Sequence, residues 1–143
     1  MKQIIPVFLA LIVSITLQTT VNAQCEKKLS LTSSKTEYLD TSGAVRKTMD
    51  EETEITITEK TITISPASDH TMTGTILSAK CEWKIPFKEG QSEFKTEFED
   101  QGEKKNITIV LEGKEGKVSF LVTVDDASNK RIRVWADSFK EAK

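Results

Sequence analysis

The chain has 143 residues, of which 37% are hydrophobic and 29% charged, and its net charge is −2 with the two signs interspersed. A chain of that size supports one hydrophobic core rather than two. No basic stripe favours anionic lipid, and no nucleic-acid partner is expected; no Pro-, Ser- or Gly-rich linker divides the chain.

In chain order, Met1, Lys2 and Gln3 precede an apolar stretch from Ile4 to Leu17, followed by polar Gln18 to Asn22 and the small residue Ala23, with Val21 two positions before it. This is the pattern of an export signal. The apolar run falls below the ~17 to 25 residues that a membrane-spanning helix needs. Cleavage is expected between Ala23 and Gln24, so residues 1–23 are a signal peptide and residues 24–143 a single all-β domain, soluble and secreted or periplasmic. A lipidated Cys25 is not expected, because Asn22, Ala23 and Gln24 lack the Leu and small-residue pattern that precedes one. The mature chain is lean in apolar residues, so its core is thin. Cys25 and Cys81 both enter an oxidising compartment and are expected to pair.

The mature chain then reads as short alternating segments separated by polar turns. Leu29 and Leu31 open the first, and Asp40-Thr41-Ser42-Gly43 forms a turn between Tyr38-Leu39 and Val45-Met49. In the run from Glu54 to Ile64 the isoleucines change parity across Glu59-Lys60. A hairpin turning there sets Ile57 opposite Ile62 and Ile55 opposite Ile64 on one face, with Thr56, Thr58, Thr61 and Thr63 on the other. A second change of parity separates Met72, Gly74 and Ile76 from Leu77, Ala79, Cys81, Trp83, Ile85 and Phe87. A bulge near Ile76 and Leu77, eased by Gly74, keeps both sets inward. Four further rows follow: Phe94, Thr96 and Phe98; Ile107, Ile109 and Leu111; Val118, Phe120, Val122 and Val124; and Ile132, Val134 and Ala136. Asp137 to Lys143 read as a frayed polar end or one helical turn.

Eight or nine strands at hairpin spacing, with no amphipathic helix between them, exclude a parallel βαβ arrangement. The expected fold is an antiparallel meander closed into a small up-and-down barrel, with a two-sheet sandwich as the alternative. In outline the meander after a signal peptide resembles the small lipocalin-like barrels, and the signal with Gln24 at the cut resembles those of Gram-negative secreted proteins. The Gly-x-Trp signature of lipocalins is missing from the first strand, since Trp83 and Trp135 lie in the middle and at the end.

Residues that carry chemistry are sparse. His70 follows Asp69 in a loop between hairpins, with no positioned nucleophile or acid in sight, and reads as an exposed histidine. No nucleophile elbow, phosphate loop or His-Glu-x-x-His helix is present, and the chain is expected not to be an enzyme and to need no cofactor or metal. Carboxylates group at Asp50-Glu51-Glu52, at Glu97, Glu99 and Asp100, and at Asp125-Asp126. The last group, with Ser128 and Asn129, lacks the spacing of a calcium loop and reads as a turn. The threonine row is ordinary exposed strand. Asn106-Ile107-Thr108 matches a glycosylation acceptor, which has meaning only in a eukaryotic secretory pathway.

Trp135 shares its parity with Arg131 and Arg133, the composition of an exposed protein or glycan contact. Packing of Trp135 under the tail against Phe139 is the stronger expectation. The function expected is non-catalytic binding through the surface or loops, the partner being a protein, a glycan or a small apolar ligand. The alternative is a carrier whose cavity is lined by Trp83, Phe94, Phe98 and Phe120. Small inward residues are few (Gly74, Ala79, Thr96, Ala136), which favours a filled interior over a large chamber.

Overall fold

In the computed structural model, which describes residue 25, residues 27–126 and residues 130–142, the isoleucine hairpin pairs in the expected register: Ile55 faces Ile64 and Ile57 faces Ile62. The turn at Glu59-Lys60 is held by Thr58, whose amide donates to the Thr61 carbonyl at 2.8 Å and whose hydroxyl accepts the Thr61 amide at 2.9 Å. All three buried isoleucines of the hairpin, Ile55, Ile57 and Ile62, join one core. The export signal over residues 1–23 and the Ala127–Asn129 part of the acidic turn lie outside the described residues.

Nine strands are described, β1 (Leu29–Leu39), β2 (Val45–Ile57), β3 (Thr61–Pro66), β4 (Met72–Ile85), β5 (Glu89–Asp100), β6 (Glu103–Lys114), β7 (Lys117–Val124), β8 (Arg131–Trp135) and β9 (Ser138–Glu141). Each of the first seven pairs antiparallel with the next, and β8 returns to β1 through Thr36↔Val134 and Tyr38↔Ile132. The result is a closed eight-stranded meander barrel with one extra strand. Closure removes the exposed sheet edges that an open meander leaves.

The tail departs from the sequence-based expectation. Ser138–Glu141 is neither frayed nor helical but a strand paired to the start of β1, with Leu31 opposite Phe139. Ala136 donates its amide to Val118 on β7, and Asp137 donates to Thr32 on β1. At that point the last strand changes neighbours, so β8 closes the barrel and β9 seals its end. Phe139 is carried onto Trp83, at a centroid distance of 6.0 Å, and onto Phe87 at 5.0 Å.

The β4 bulge falls where the parity change places it, with Ile76 opposite Thr96 and Ser78 opposite Lys95. Leu77 is the extra residue and does not face inward; it is 61% exposed. Ala79 and Ile85 are exposed too, whereas Cys81 and Trp83 of the same row are buried. The pairing of β3 with β4 ends at Thr61↔Thr75, so this stretch of β4 is not paired to β3. Gly74 serves packing at this place: a Cβ there would overlap the Phe98 ring.

Two ends follow from the meander. One holds the turns at residues 40–44, 67–71 and 101–102, and we term it the loop end. The other, the packed end, holds Trp83, which is 1% exposed and donates its indole N–H to the Ser92 hydroxyl at 2.7 Å. Gly90 and Gly113 admit that ring: a Cβ on Gly90 would come within 2.8 Å of the indole, and so would one on Gly113. Cys81 also lies at this end and forms a disulfide with Cys25, with the Cα atoms 5.9 Å apart.

At the loop end Asp40 organises the β1–β2 turn. Its carboxylate accepts the Ser42 hydroxyl at 2.6 Å, the Ser42 amide at 2.9 Å and the Ala44 amide at 3.0 Å, and the Arg46 guanidinium meets it at 2.8 Å. These donors, the Ser42 hydroxyl foremost, lower its pKa from 3.8 to about 2 against a smaller opposing effect of burial. A carboxyl with a depressed folded-state pKa adds stability above its unfolded value and loses it as pH falls through the folded one. The urea midpoint of the protein is therefore expected to fall more steeply between pH 4 and pH 2 than that of Asp40→Asn. Equal slopes would contradict the assignment.

Candidate functional site: a cavity at the loop end

The inward rows fill the barrel unevenly. Trp83, Phe94, Leu29, Leu111 and Ile109, each no more than 2% exposed, crowd the packed half, as an eight-stranded barrel allows. Toward the loop end the bulky side chains give way to a cavity of about 240 Å³ between β1, β2 and β3 on one side and β7 and β8 on the other. Its base is apolar, formed by Ile55, Ile64, Met72, Phe120, Val122, Ile132 and Val134, and Thr36, Tyr38, Met49, Glu51, Thr53, Pro66, Ser68 and Asp69 complete the wall. Ser68 and Asp69 are exposed and mark where it meets solvent.

Local structure explains why these side chains converge. In β2 the residues Met49, Glu51, Thr53, Ile55 and Ile57 share one parity, so a row that is apolar at the packed end becomes mixed at the loop end. In β1 a register shift between Ser33 and Lys35 moves the inward parity from Leu29 and Leu31 to Thr36 and Tyr38. The Ser33 hydroxyl bridges that shift by donating to the Lys35 carbonyl at 3.0 Å. The loop after β3 folds over β2, with the Ala67 amide on the Glu52 carbonyl at 2.8 Å and the Ser68 hydroxyl on the Glu51 carboxylate.

Of the four aromatics proposed from sequence as a cavity lining, Phe120 lines this cavity. Trp83 and Phe94 belong to the filled half, and Phe98 lies against Gly74. Sequence reasoning missed Glu51 and Thr53. The available signal was their phase: polar residues in register with Ile55 and Ile57.

The charges at the wall are carboxylates. Asp69 accepts its neighbour's amide and approaches the His70 ring nitrogen Nδ1 at 2.7 Å. Its pKa is lowered, first by the His70 amide, then by the His70 ring. Across the ring, Nε2 of His70 lies 3.7 Å from Asp100. Among the described residues His70 meets Asp69 and Asp100 and no serine, cysteine or threonine hydroxyl or thiol, so the Asp-His pair is an exposed cluster at the rim. Among the described residues no group of three or more His, Cys, Asp and Glu is placed to hold a metal ion.

The aromatic and basic residues near the carboxy terminus form a second cluster on the outer wall. Trp135 is 38% exposed and does not pack on Phe139, which is spent on Trp83 and Phe87. Instead Glu37 holds both partners: its carboxylate accepts the Trp135 indole N–H and pairs with Arg133 at 3.0 Å, while the Arg133 guanidinium lies 5.0 Å from the Trp135 ring centroid. The cluster pins β1 to β8, and within it the buried Nε of Arg133 is left without a hydrogen-bond partner. Arg131 stands apart from it, opposite Leu39 beside the β1–β2 turn.

The disulfide is of a kind that persists in oxidising compartments, and it is compatible with a location outside the cytoplasm. The chain matches no family model, no curated protein and no solved structure.

Proposed function

We propose that the chain is an exported, non-catalytic binding protein that holds a small, largely apolar molecule in the loop-end cavity. The observation that carries this is the cavity itself, with a mainly apolar base and a few polar groups at its mouth, the usual make-up of a ligand site. Its volume of about 240 Å³ exceeds the roughly 150 Å³ of an engineered apolar cavity that takes up benzene. It lies below the ~300 to 1,000 Å³ of drug-sized sites. A single ring or a short chain is the scale of occupant that fits. The export signal read over residues 1–23 and the disulfide both support action outside the cytoplasm.

Val122 lines the cavity on β7 and is only partly buried, so a larger side chain there fills the space without displacing the packed half. Titration calorimetry with 2-phenylethanol is expected to show one saturable site in the native protein and at least tenfold weaker binding in Val122→Trp. Equal binding by the two proteins, with the variant's circular dichroism unchanged, would place the ligand elsewhere.

A further inference from the structure

We infer that the ligand of the loop-end cavity is a cation: a small molecule with an apolar body and an ammonium or related basic head. The inference rests on the cavity being a binding site, and it concerns which chemistry that site selects.

Two acidic side chains, Glu51 and Asp69, stand in the wall of this cavity, and no Lys, Arg or His does among the described residues. They come from different elements, β2 and the loop after β3, brought together by the Ser68 hydroxyl on Glu51. Glu51 is half-buried and accepts that neutral hydroxyl, and among the described residues no Lys, Arg or His pairs with it. Asp69 has His70 beside it, on the side of the exposed loop. Lys47 lies over the ring of Tyr38, another lining residue, with its Nζ 5.9 Å from the centroid.

The base of the cavity bears no ionisable group, since Ile55, Ile64, Phe120, Val122 and Val134 are all aliphatic or aromatic. An occupant that buries a ring or chain there leaves its head group level with Glu51, Ser68 and Asp69. A carboxylate head at that place meets two like charges in a site of reduced dielectric, whereas an ammonium donates three hydrogen bonds to carboxylate and hydroxyl acceptors. Like-charge juxtaposition rejects anions, and the same pair of acids attracts cations.

The test compares 2-phenylethylamine, 2-phenylethanol and 3-phenylpropanoate by titration calorimetry at pH 7 and low ionic strength, on the native chain and on Glu51→Gln with Asp69→Asn. The amine is expected to bind at least tenfold more tightly than the alcohol, and the carboxylate more weakly than either. In the double variant the amine falls to the affinity that the alcohol has for the same variant, and an unchanged circular-dichroism spectrum reports the intact fold. An amine no tighter than the alcohol, or a carboxylate that binds best, overturns the cation specificity while leaving the cavity as a site. Absence of binding by all three overturns both.

Discussion

Removing the disulfide, by Cys25→Ala together with Cys81→Ala, is expected to cost about 4 kcal/mol of stability on the chain-entropy scale for the 56-residue separation of the two cysteines. The bond joins the segment before β1 to the packed-end half of β4, on the stretch that extends beyond its pairing with β3. It therefore supplies by covalent means a connection that sheet pairing does not make there. Cys81 is buried at 6% exposure, and its loss also leaves a small void beside Trp83. Urea denaturation of the oxidised protein against the double variant measures the difference. A loss below about 1 kcal/mol would mean that the bridge closes a connection already made by packing.

Trp83→Ala is expected to destabilise the barrel by about 3 to 5 kcal/mol, the range for deleting a fully buried large aromatic. The indole fills the packed end between the backbones of Gly90 and Gly113 and the ring of Phe139, and none of these can move in to close the void: the first two are fixed in strand pairing. The substitution also strands the buried Ser92 hydroxyl, which is 1% exposed. Trp83→Phe isolates that last contribution, and about 1 to 3 kcal/mol is expected for a smaller ring plus an unsatisfied hydroxyl. Thermal and urea unfolding of the two variants provide the measurement. A loss under about 2 kcal/mol in Trp83→Ala would show that the packed end tolerates a void, contrary to the clearances around the two glycines.

The two expectations share a cause that could be read from the sequence only in part. Parity alone placed Ile55, Ile57, Ile62 and Ile64 in register, located the β4 bulge and turned Cys81 and Trp83 inward, because period-two alternation is a local property of a strand. Non-local properties escaped it. Only Phe139 is apolar within Ser138–Glu141, so the segment carries no alternating signal, and its pairing with β1 depends on where Ala136 and Asp137 find acceptors. The outward turn of Leu77 comes from its place as the extra residue of the β4 bulge, which depends on the pairing with β5.

The site shows the same division. Composition suggested that the interior is filled, and half of it is; the aromatics named as a lining are mostly the filling. The open half is walled by Thr36, Tyr38, Glu51 and Thr53, whose polarity hides them from a search for inward apolar rows. Glu51 stood in the sequence as one of three consecutive acids, and only the phase of β2 distinguishes it from Asp50 and Glu52. The parity of Arg133 and Trp135 gave no sign of what holds them: the indole N–H and one Nη of the guanidinium meet Glu37, a residue 96 positions from Arg133 and 98 from Trp135.

Methyl-resolved NMR of the native chain during titration with 2-phenylethylamine tests the central claim most directly, since the barrel contains its own control. Binding in the loop-end cavity is expected to shift the methyl signals of Ile55, Ile64, Met72, Val122, Ile132 and Val134, and to leave those of Leu29, Ile57 and Leu111 in the packed half in place. Shifts confined to the exposed Leu77, Ile85 and Val45, with the cavity methyls unmoved, would contradict it.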